Sequence, residues 1–156
     1  MDELDSHTPD KYEYNYLDDE GLCLVDDSKS VQFWVKAAHD AHISLTNNKA
    51  SDKTIEICLG GWGDTSSVIR SEHQQLIPII KQGGGRLDAN AYKPFWITWK
   101  DDIIVGEGTV IGQNQFMKAH IPQEIDFIGI ATGWGATGDW AFGHGKESFV
   151  IYMFLN

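Results

Sequence analysis

The stretch that decides the fold is FIGIATGWGATGDWAFGHG, residues 127–145. Within it, residues 133–138 spell G-x-G-x-x-G, the pattern with which a dinucleotide-binding fold leaves a strand and opens a helix. Gly143 and Gly145 disfavour a helix there, and the rest of the chain is typical of a strand, which leaves no room for a second parallel strand. The pattern therefore predicts neither a nucleotide loop nor an S-adenosylmethionine site of the Rossmann type.

Alternation of apolar and polar residues runs through most of the chain, and no stretch has a convincing helical period. The strand-like segments are residues 12–16, 31–37, 41–45, 54–60, 66–70, 75–80, 93–99, 103–108, 115–121, 124–132 and 148–155. Pro78 places segment 75–80 at an edge or in a loop, and residues 81–90 are expected to be a flexible connection. Roughly nine to eleven short strands predict an all-β fold, an antiparallel β-sandwich or a related barrel.

Two parts of the sequence echo each other. Residues 33–35 (Phe-Trp-Val) and 95–97 (Phe-Trp-Ile) each open a strand–turn–strand unit. A later strand ends in Gly-Trp-Gly-x-Thr in each part, at residues 61–65 and 133–137. Because any β protein repeats hairpins, the shared pattern makes two related halves a hypothesis only.

Length and charge limit the function classes. A chain of 156 residues fits one domain; we expect a flexible lead-in at residues 1–10 and a single carbohydrate-binding domain at 11–156. The formal net charge of −11 disfavours nucleic acid and anionic membranes as partners, and it suits a hard cation such as calcium. No apolar stretch is long enough to insert in a membrane. We expect an extracellular, secreted protein, with a cytoplasmic location as the alternative, since a leader could have been removed.

The two cysteines, Cys23 and Cys58, are too few for a disulfide scaffold or a cysteine zinc site. Two small buried thiols are the favoured interpretation. One disulfide is the alternative, and Cys23 is the better candidate for a bridge between chains.

Four blocks, in order, resemble the farnesoic acid O-methyltransferase-like domain family. They are FWVKAAHDAHISL (33–45), IEICLGGWGDTSSVIR (55–70), KPFWITWKDDIIVGEG (93–108) and DFIGIATGWGATGDW (126–140). The family name implies a small-molecule methyltransferase. However, the fold associated with it is all-β and has no recognised methyl-donor site. The same type of domain is associated with a galactose-binding invertebrate lectin of this size, and this use implies binding without catalysis.

Tryptophans in glycine-flanked turns differ from those inside strands. Strand tryptophans are usually core, whereas a turn tryptophan either closes the end of the sandwich or offers a platform to a sugar ring. Polar side chains beside such turns could hold the hydroxyls. The candidate carbohydrate-binding residues are Trp134, Asp139, Trp140, His39, His144 and Trp62.

Aspartates in turns suggest a cation site at one end of the sandwich. The candidate metal ligands are Asp40, Asp64, Asp101 and Asp102. Turn aspartates more often cap their own backbone, and no D-x-D-x-D-G loop is present. His39 and His42 are spaced as two independent histidines rather than a zinc pair, and Arg70 is expected to form a buried or edge ion pair.

Together these observations predict a galactose-type lectin that is calcium-dependent, non-enzymatic and homodimeric, because agglutination needs more than one site. The alternatives are a farnesoic acid-type O-methyltransferase and a protein-interaction module without a small ligand.

Overall fold

The computed structural model describes residues 3–22 and 28–143, and it is an antiparallel β-sandwich. The first sheet has the order β1-β12-β3-β8-β9-β10, and the second has the order β2-β11-β4-β5-β6-β7. The strands are β1 (Leu4–Thr8), β2 (Asn15–Tyr16), β3 (Ser30–Ala37), β4 (Ala41–Thr46), β5 (Ile55–Gly60), β6 (Ser66–Arg70), β7 (Ile80–Gly83), β8 (Lys93–Thr98), β9 (Ile103–Glu107), β10 (Gln115–Ala119), β11 (Phe127–Ala131) and β12 (Gly138–Phe142), with a four-residue helical turn α1 (Gly61–Asp64). The predicted all-β sandwich is confirmed.

Strands β1, β2, β7 and β12 differ from the prediction, and β2 covers only residues 15–16 of the predicted segment 12–16. Residues 4–8, expected in the flexible lead-in, form β1 and pair with β12. Strand β7 lies at 80–83 instead of 75–80, so it begins after Pro78 and takes the first residues of the expected flexible connection. The predicted strand 148–155 lies outside the described residues. The described part of the chain holds twelve strands, one more than the upper expectation.

Strand β12 was not predicted, because its first residue, Gly138, belongs to a glycine-rich stretch that is typical of a turn. A Cβ at this position would lie 2.9 Å from the Thr132 methyl carbon and 2.9 Å from the indole nitrogen of Trp140. The glycine therefore permits a close approach inside the sheet and does not make a turn.

The core lies between the sheets and is aromatic on the side of the first sheet. Phe33 of β3 contacts Phe95, Trp140 and Phe142, with ring centroids 6.0, 5.8 and 5.6 Å apart. Aliphatic side chains of the second sheet, such as Ile57, face this cluster. Among the described residues, no helix is long and apolar enough to cross a membrane.

The outer face of the second sheet is also covered, which determines where the candidate site lies. All residues of β4 and β5 are buried, although alternate side chains of each strand point away from the core. The N-terminal segment, with Tyr12 and Tyr14, crosses this outer face and packs its rings against His42 and His73. A polar layer is thus enclosed on the face opposite the apolar core.

Candidate functional site

Strand direction brings the two Gly-Trp-Gly loops together. Strand β4 pairs antiparallel with β5 on one side and with β11 on the other, so β5 and β11 run in the same direction. Both strands therefore end beside the beginning of β4, where Ala41 pairs with Leu59 and His42 pairs with Ala131. The loops that follow place Trp62 and Trp134 on either side of the turn that leads into β4.

An open cavity of about 450 Å³ lies between these loops. Trp62 and Trp134 line it and are 51% and 54% exposed. The polar part of its lining includes His39, Asp40, His42 and Cys58, together with Arg70 and Gln74. Large apolar surface and convergent polar groups are the usual composition of a small-ligand site.

The backbone is strained at four residues of the cavity lining. Asp40, Trp62, Gln74 and Trp134 have φ values of 54°, 52°, 55° and 52°, in the left-handed region. This conformation costs an L-residue other than glycine roughly 1–2 kcal/mol. Such strain concentrates at binding sites, where the surrounding structure enforces it. Four strained residues on one cavity therefore support a functional role for it.

Neighbouring groups hold both indole rings in position. The Trp134 ring stacks on His42 at 5.1 Å with a 26° interplanar angle, and it contacts the Tyr12 ring at 5.0 Å. The Gly135 amide donates to Asp10 Oδ1 at 2.8 Å. Lys81 Nζ lies 4.1 Å from the centre of the Trp62 ring. Rings held in this way lose little freedom when they bind a ligand.

Below the cavity, Glu56 is the centre of a buried hydrogen-bond network. Its Oε1 accepts from Arg70 Nη1 at 2.9 Å and from the Gln74 amide and side chain at 2.9 and 3.0 Å. Its Oε2 accepts from the hydroxyls of Tyr12 and Tyr14. Five donors occupy the carboxylate, so Glu56 is a structural acceptor and not a base available to a substrate.

The environment fixes the charge states of this layer. Burial alone would raise the pKa of Glu56, but its interaction with His42 and the hydrogen bonds from the tyrosines and Gln74 keep that pKa below its ordinary value. Burial lowers the pKa of His42. Burial and then the negative charge of Glu56 raise the pKa of Tyr14. The layer therefore holds an ionised carboxylate and neutral tyrosines at neutral pH.

Asp40, His42 and Cys58 form a compact cluster in the cavity. Their ligand-type atoms all lie within 4.8 Å of one another. The Cys58 thiol donates to Asp40 Oδ1 at 3.7 Å, and Asp40 Oδ2 lies 2.6 Å from His39 Nδ1. Cys58 is a buried free thiol, which confirms that part of the prediction; Cys23 lies outside the described residues.

The predicted sugar-binding residues divide between two places. Trp62, Trp134 and His39 line the cavity. Asp139 lies instead on β12 in the first sheet, where His7 Nδ1 contacts it at 2.7 Å. The prediction for Trp140 is corrected: it is fully buried in β12 and donates to Thr8 Oγ1 at 2.9 Å, because Gly138 begins a strand and not a turn. His144 lies outside the described residues.

The four candidate metal ligands do not converge. Asp40 lies in the cavity, whereas Asp101 and Asp102 line a different pocket at the β8–β9 hairpin. Asp64 Oδ1 accepts the backbone N–H groups of Arg86 and Leu87 at 2.9 and 3.1 Å, so it braces a loop. Within residues 3–22 and 28–143, the one group of three or more metal-ligand side chains is Asp40, His42 and Cys58.

Sequence reasoning missed several residues of this site. It anticipated the Arg70 ion pair but not its partner, Glu56, or the place of Cys58 and Gln74 in the cavity. The available signal was that Glu56 and Cys58 alternate with apolar residues of β5, so that both share its outer face. What covers that face depends on the path of the N-terminal segment, which no local pattern reveals.

Residues 10–145 match the sequence model of the family described as farnesoic acid O-methyl transferase. The chain belongs to this family. The match includes every residue of the cavity and the tyrosines that cover its floor. A search of curated proteins finds no match to this member of the farnesoic acid O-methyltransferase-like family.

Among solved structures, the chain is similar to an uncharacterized protein from Mycobacterium paratuberculosis. The two are 13% identical with a TM-score of 0.41, over 72% of this chain. The aligned region spans 66% of the mycobacterial chain, just under two thirds of its length. A likeness this distant supports no conclusion about function.

Proposed function

We propose that this family member binds carbohydrate in the cavity between Trp62 and Trp134, with galactose-type sugars as its ligands and without catalysis. The observation that carries the proposal is the pair of exposed, strained indoles around one polar-floored cavity. A cavity of about 450 Å³ also lies within the size range of small-ligand sites.

The chemistry of the lining suits a sugar ring. Galactose has a continuous C–H face, which packs on the face of an indole. Its hydroxyls donate and accept hydrogen bonds, so they need polar partners of both kinds. Asp40 and Gln74 both line the cavity, so its wall carries a carboxylate and an amide whose Nε2 also donates to Glu56. His39, bonded to Asp40 Oδ2, orients that carboxylate.

Calorimetric titration with galactose and lactose tests the proposal, with glucose as the epimer that lacks the axial 4-hydroxyl. We expect saturable heats for the galactosides, and we expect Trp134→Ala to weaken them about tenfold or more. Trp62→Ala should act in the same direction. The matched control is Leu76→Ala, since Leu76 is 94% exposed and is not part of the cavity lining. No sugar binding by the folded wild type, with calcium present, would refute the proposal.

The competing function is methyl transfer, which the family description favours. We propose that this chain is not an enzyme, because Gly138 begins strand β12, so residues 133–138 are not the strand-to-helix loop of a Rossmann-type S-adenosylmethionine site. In addition, the buried Glu56 carboxylate beneath the cavity is occupied by five hydrogen bonds. Titration with S-adenosylmethionine and a methyl-transfer assay with farnesoic acid decide between the two. Saturable S-adenosylmethionine binding would favour the enzyme, and binding of neither ligand class would favour an interaction module.

Calcium dependence, dimerisation and secretion also belong to the proposal. Repeating the sugar titration with calcium and with EDTA tests the metal requirement, with Asp40 as the one aspartate of the predicted set in the cavity. Two sites per particle are needed to crosslink glycans, so we expect sedimentation to give a homodimer. Detection of the protein outside cells that express it would support secretion.

A further inference from the structure

We propose that Asp40, His42 and Cys58 form a binding site for a zinc-class divalent ion. The three side chains come from adjacent positions of the second sheet: Asp40 precedes β4, and His42 of β4 pairs directly with Cys58 of β5. Their donor set is one carboxylate oxygen, one imidazole nitrogen and one sulfur. Zinc is bound in proteins by these three ligand types.

The spacing fits a tetrahedral ion. Two ligands at zinc's usual O and S distances lie about 3.5 Å apart when the coordination is tetrahedral. Asp40 Oδ1 and Cys58 Sγ are 3.7 Å apart, and all three ligand atoms lie within 4.8 Å of one another. An ion could therefore enter with side-chain adjustments of a few tenths of an ångström to about 1 Å.

Hydrogen bonds that orient the candidate ligands, of the kind that accompany metal ligands, are already in place. His42 Nδ1 lies 3.0 Å from the Asp40 carbonyl oxygen, to which the ring N–H donates, and this tautomer leaves the lone pair on Nε2. The other carboxylate oxygen of Asp40 is held by His39 Nδ1 at 2.6 Å. Partners of this kind fix the tautomer and orientation of metal ligands.

The site has an entry path and an open position. All three residues line the cavity beneath Trp134, so an ion can reach them from solvent. Three protein ligands leave the fourth position of a tetrahedral ion to water or to a ligand hydroxyl. On binding, the Cys58 S–H bond breaks, the proton leaves to the buffer, and the thiolate joins the ion. Thiolate and imidazole ligands favour zinc over calcium, which takes oxygen ligands.

Zinc binding stands independently of the proposed sugar binding, because it requires only these three side chains. A contribution of the ion to holding a sugar hydroxyl rests on the proposed function. The two are separated by titrating zinc in the absence of sugar, and then galactose with and without zinc.

The test uses full-length protein without a histidine tag, stripped with EDTA and dialysed. We expect calorimetry in the absence of sugar to show one zinc equivalent with proton release. Calcium alone should give no comparable heat, because its oxygen shell here would need the hydroxyls of a bound sugar to complete it. Cobalt substitution should produce a thiolate-to-cobalt charge-transfer band and the intense visible bands of a tetrahedral ion. Cys58→Ser should abolish the charge-transfer band and weaken zinc binding by at least about 100-fold.

Two further variants sharpen the result. His39→Gln removes only the imidazole that holds Asp40 Oδ2, so it should weaken zinc binding about 10–100-fold while the charge-transfer band remains. Asp102→Asn is the matched control: Asp102 also contacts a histidine, His120 at 2.8 Å, but it lies outside the cluster, and its loss should change nothing. Absence of both the zinc heat and the cobalt band in the folded wild type overturns the proposal. Unchanged zinc affinity in Cys58→Ser also overturns it.

Discussion

Replacing Glu56 with glutamine should destabilise the fold more than any isosteric change on the surface. Glu56 has no exposed surface, and its salt-bridge partner Arg70 is 8% exposed. The change leaves the buried Arg70 guanidinium without a counter-charge. It also replaces one carboxylate oxygen with an amide N–H₂ group, so the five surrounding donors have only one acceptor oxygen left. Breaking a buried pair from one side costs about 3–5 kcal/mol.

That magnitude is large beside the total stability of a domain, about 5–15 kcal/mol. With a urea m-value of about 2 kcal/mol/M, the unfolding midpoint should fall by about 1.5–2.5 M. Urea unfolding followed by tryptophan fluorescence and far-ultraviolet circular dichroism measures the shift. Glu13→Gln is the control, since Glu13 forms a fully exposed ion pair with Lys11 and its loss should leave the midpoint unchanged.

A double-mutant cycle tests the reasoning itself. Adding Arg70→Met to Glu56→Gln removes the uncompensated charge, so the double variant should cost less than the sum of the single variants by about 0.5–3 kcal/mol. Additive effects, or a Glu56→Gln midpoint equal to that of Glu13→Gln, would show that the network is not coupled as the hydrogen bonds indicate.

Two other predictions concern packing and pH. Gly106→Ala would place a Cβ 2.2 Å from the Trp96 ring, so urea unfolding should show a loss of stability of about 1–3 kcal/mol. Gly83→Ala is the control: its Cβ meets open space, and its stability should stay within about 1 kcal/mol of wild type. Equal losses of stability in the two variants would contradict the packing argument. Burial lowers the pKa of His73 from its ordinary 6.5. As the pH falls below about 6.5, His73 therefore binds a proton in the unfolded chain before it does so in the folded chain, and the free energy of unfolding declines. His73→Gln should reduce the loss of stability measured between about pH 7 and pH 5, although His42 contributes a decline of the same sign; an unchanged slope would exclude His73 as a source.

Local pattern was sufficient for the sheets but not for every strand. Alternation in β3, β4 and β5 reflects side chains that face the core, so it predicted these strands within a residue or two. Strand β12 was missed because glycine occurs both in turns and at close contacts inside sheets, and the sequence alone does not distinguish the two. Gly138 allows Thr132 and Trp140 to approach the backbone, a requirement that only the folded neighbours define.

The sequence predicted only those site residues that the local pattern of one turn identifies. Trp62 and Trp134 stand out because each lies between glycines, and Asp40 because it follows a strand. The contribution of Cys58 depends on its register with His42 across two strands, which a residue-by-residue reading does not contain. Pairing is set by the whole sheet, so partners across strands could not be assigned beforehand.

The echo between the two Gly-Trp-Gly loops has a geometric basis in the second sheet. Strands β5 and β11 flank β4 and run in the same direction, so their ends meet the same turn from opposite sides. Each loop is then tied down differently: Asp64 binds the backbone of Arg86 and Leu87, whereas Asp10 binds the Gly135 amide. Each loop nevertheless holds its tryptophan at the same left-handed φ of 52°. The two loops are held by different hydrogen bonds, yet both tryptophans have the same strained backbone conformation. We infer that the feature the loops share is the position of the indole at the cavity, and not the structure of the loop.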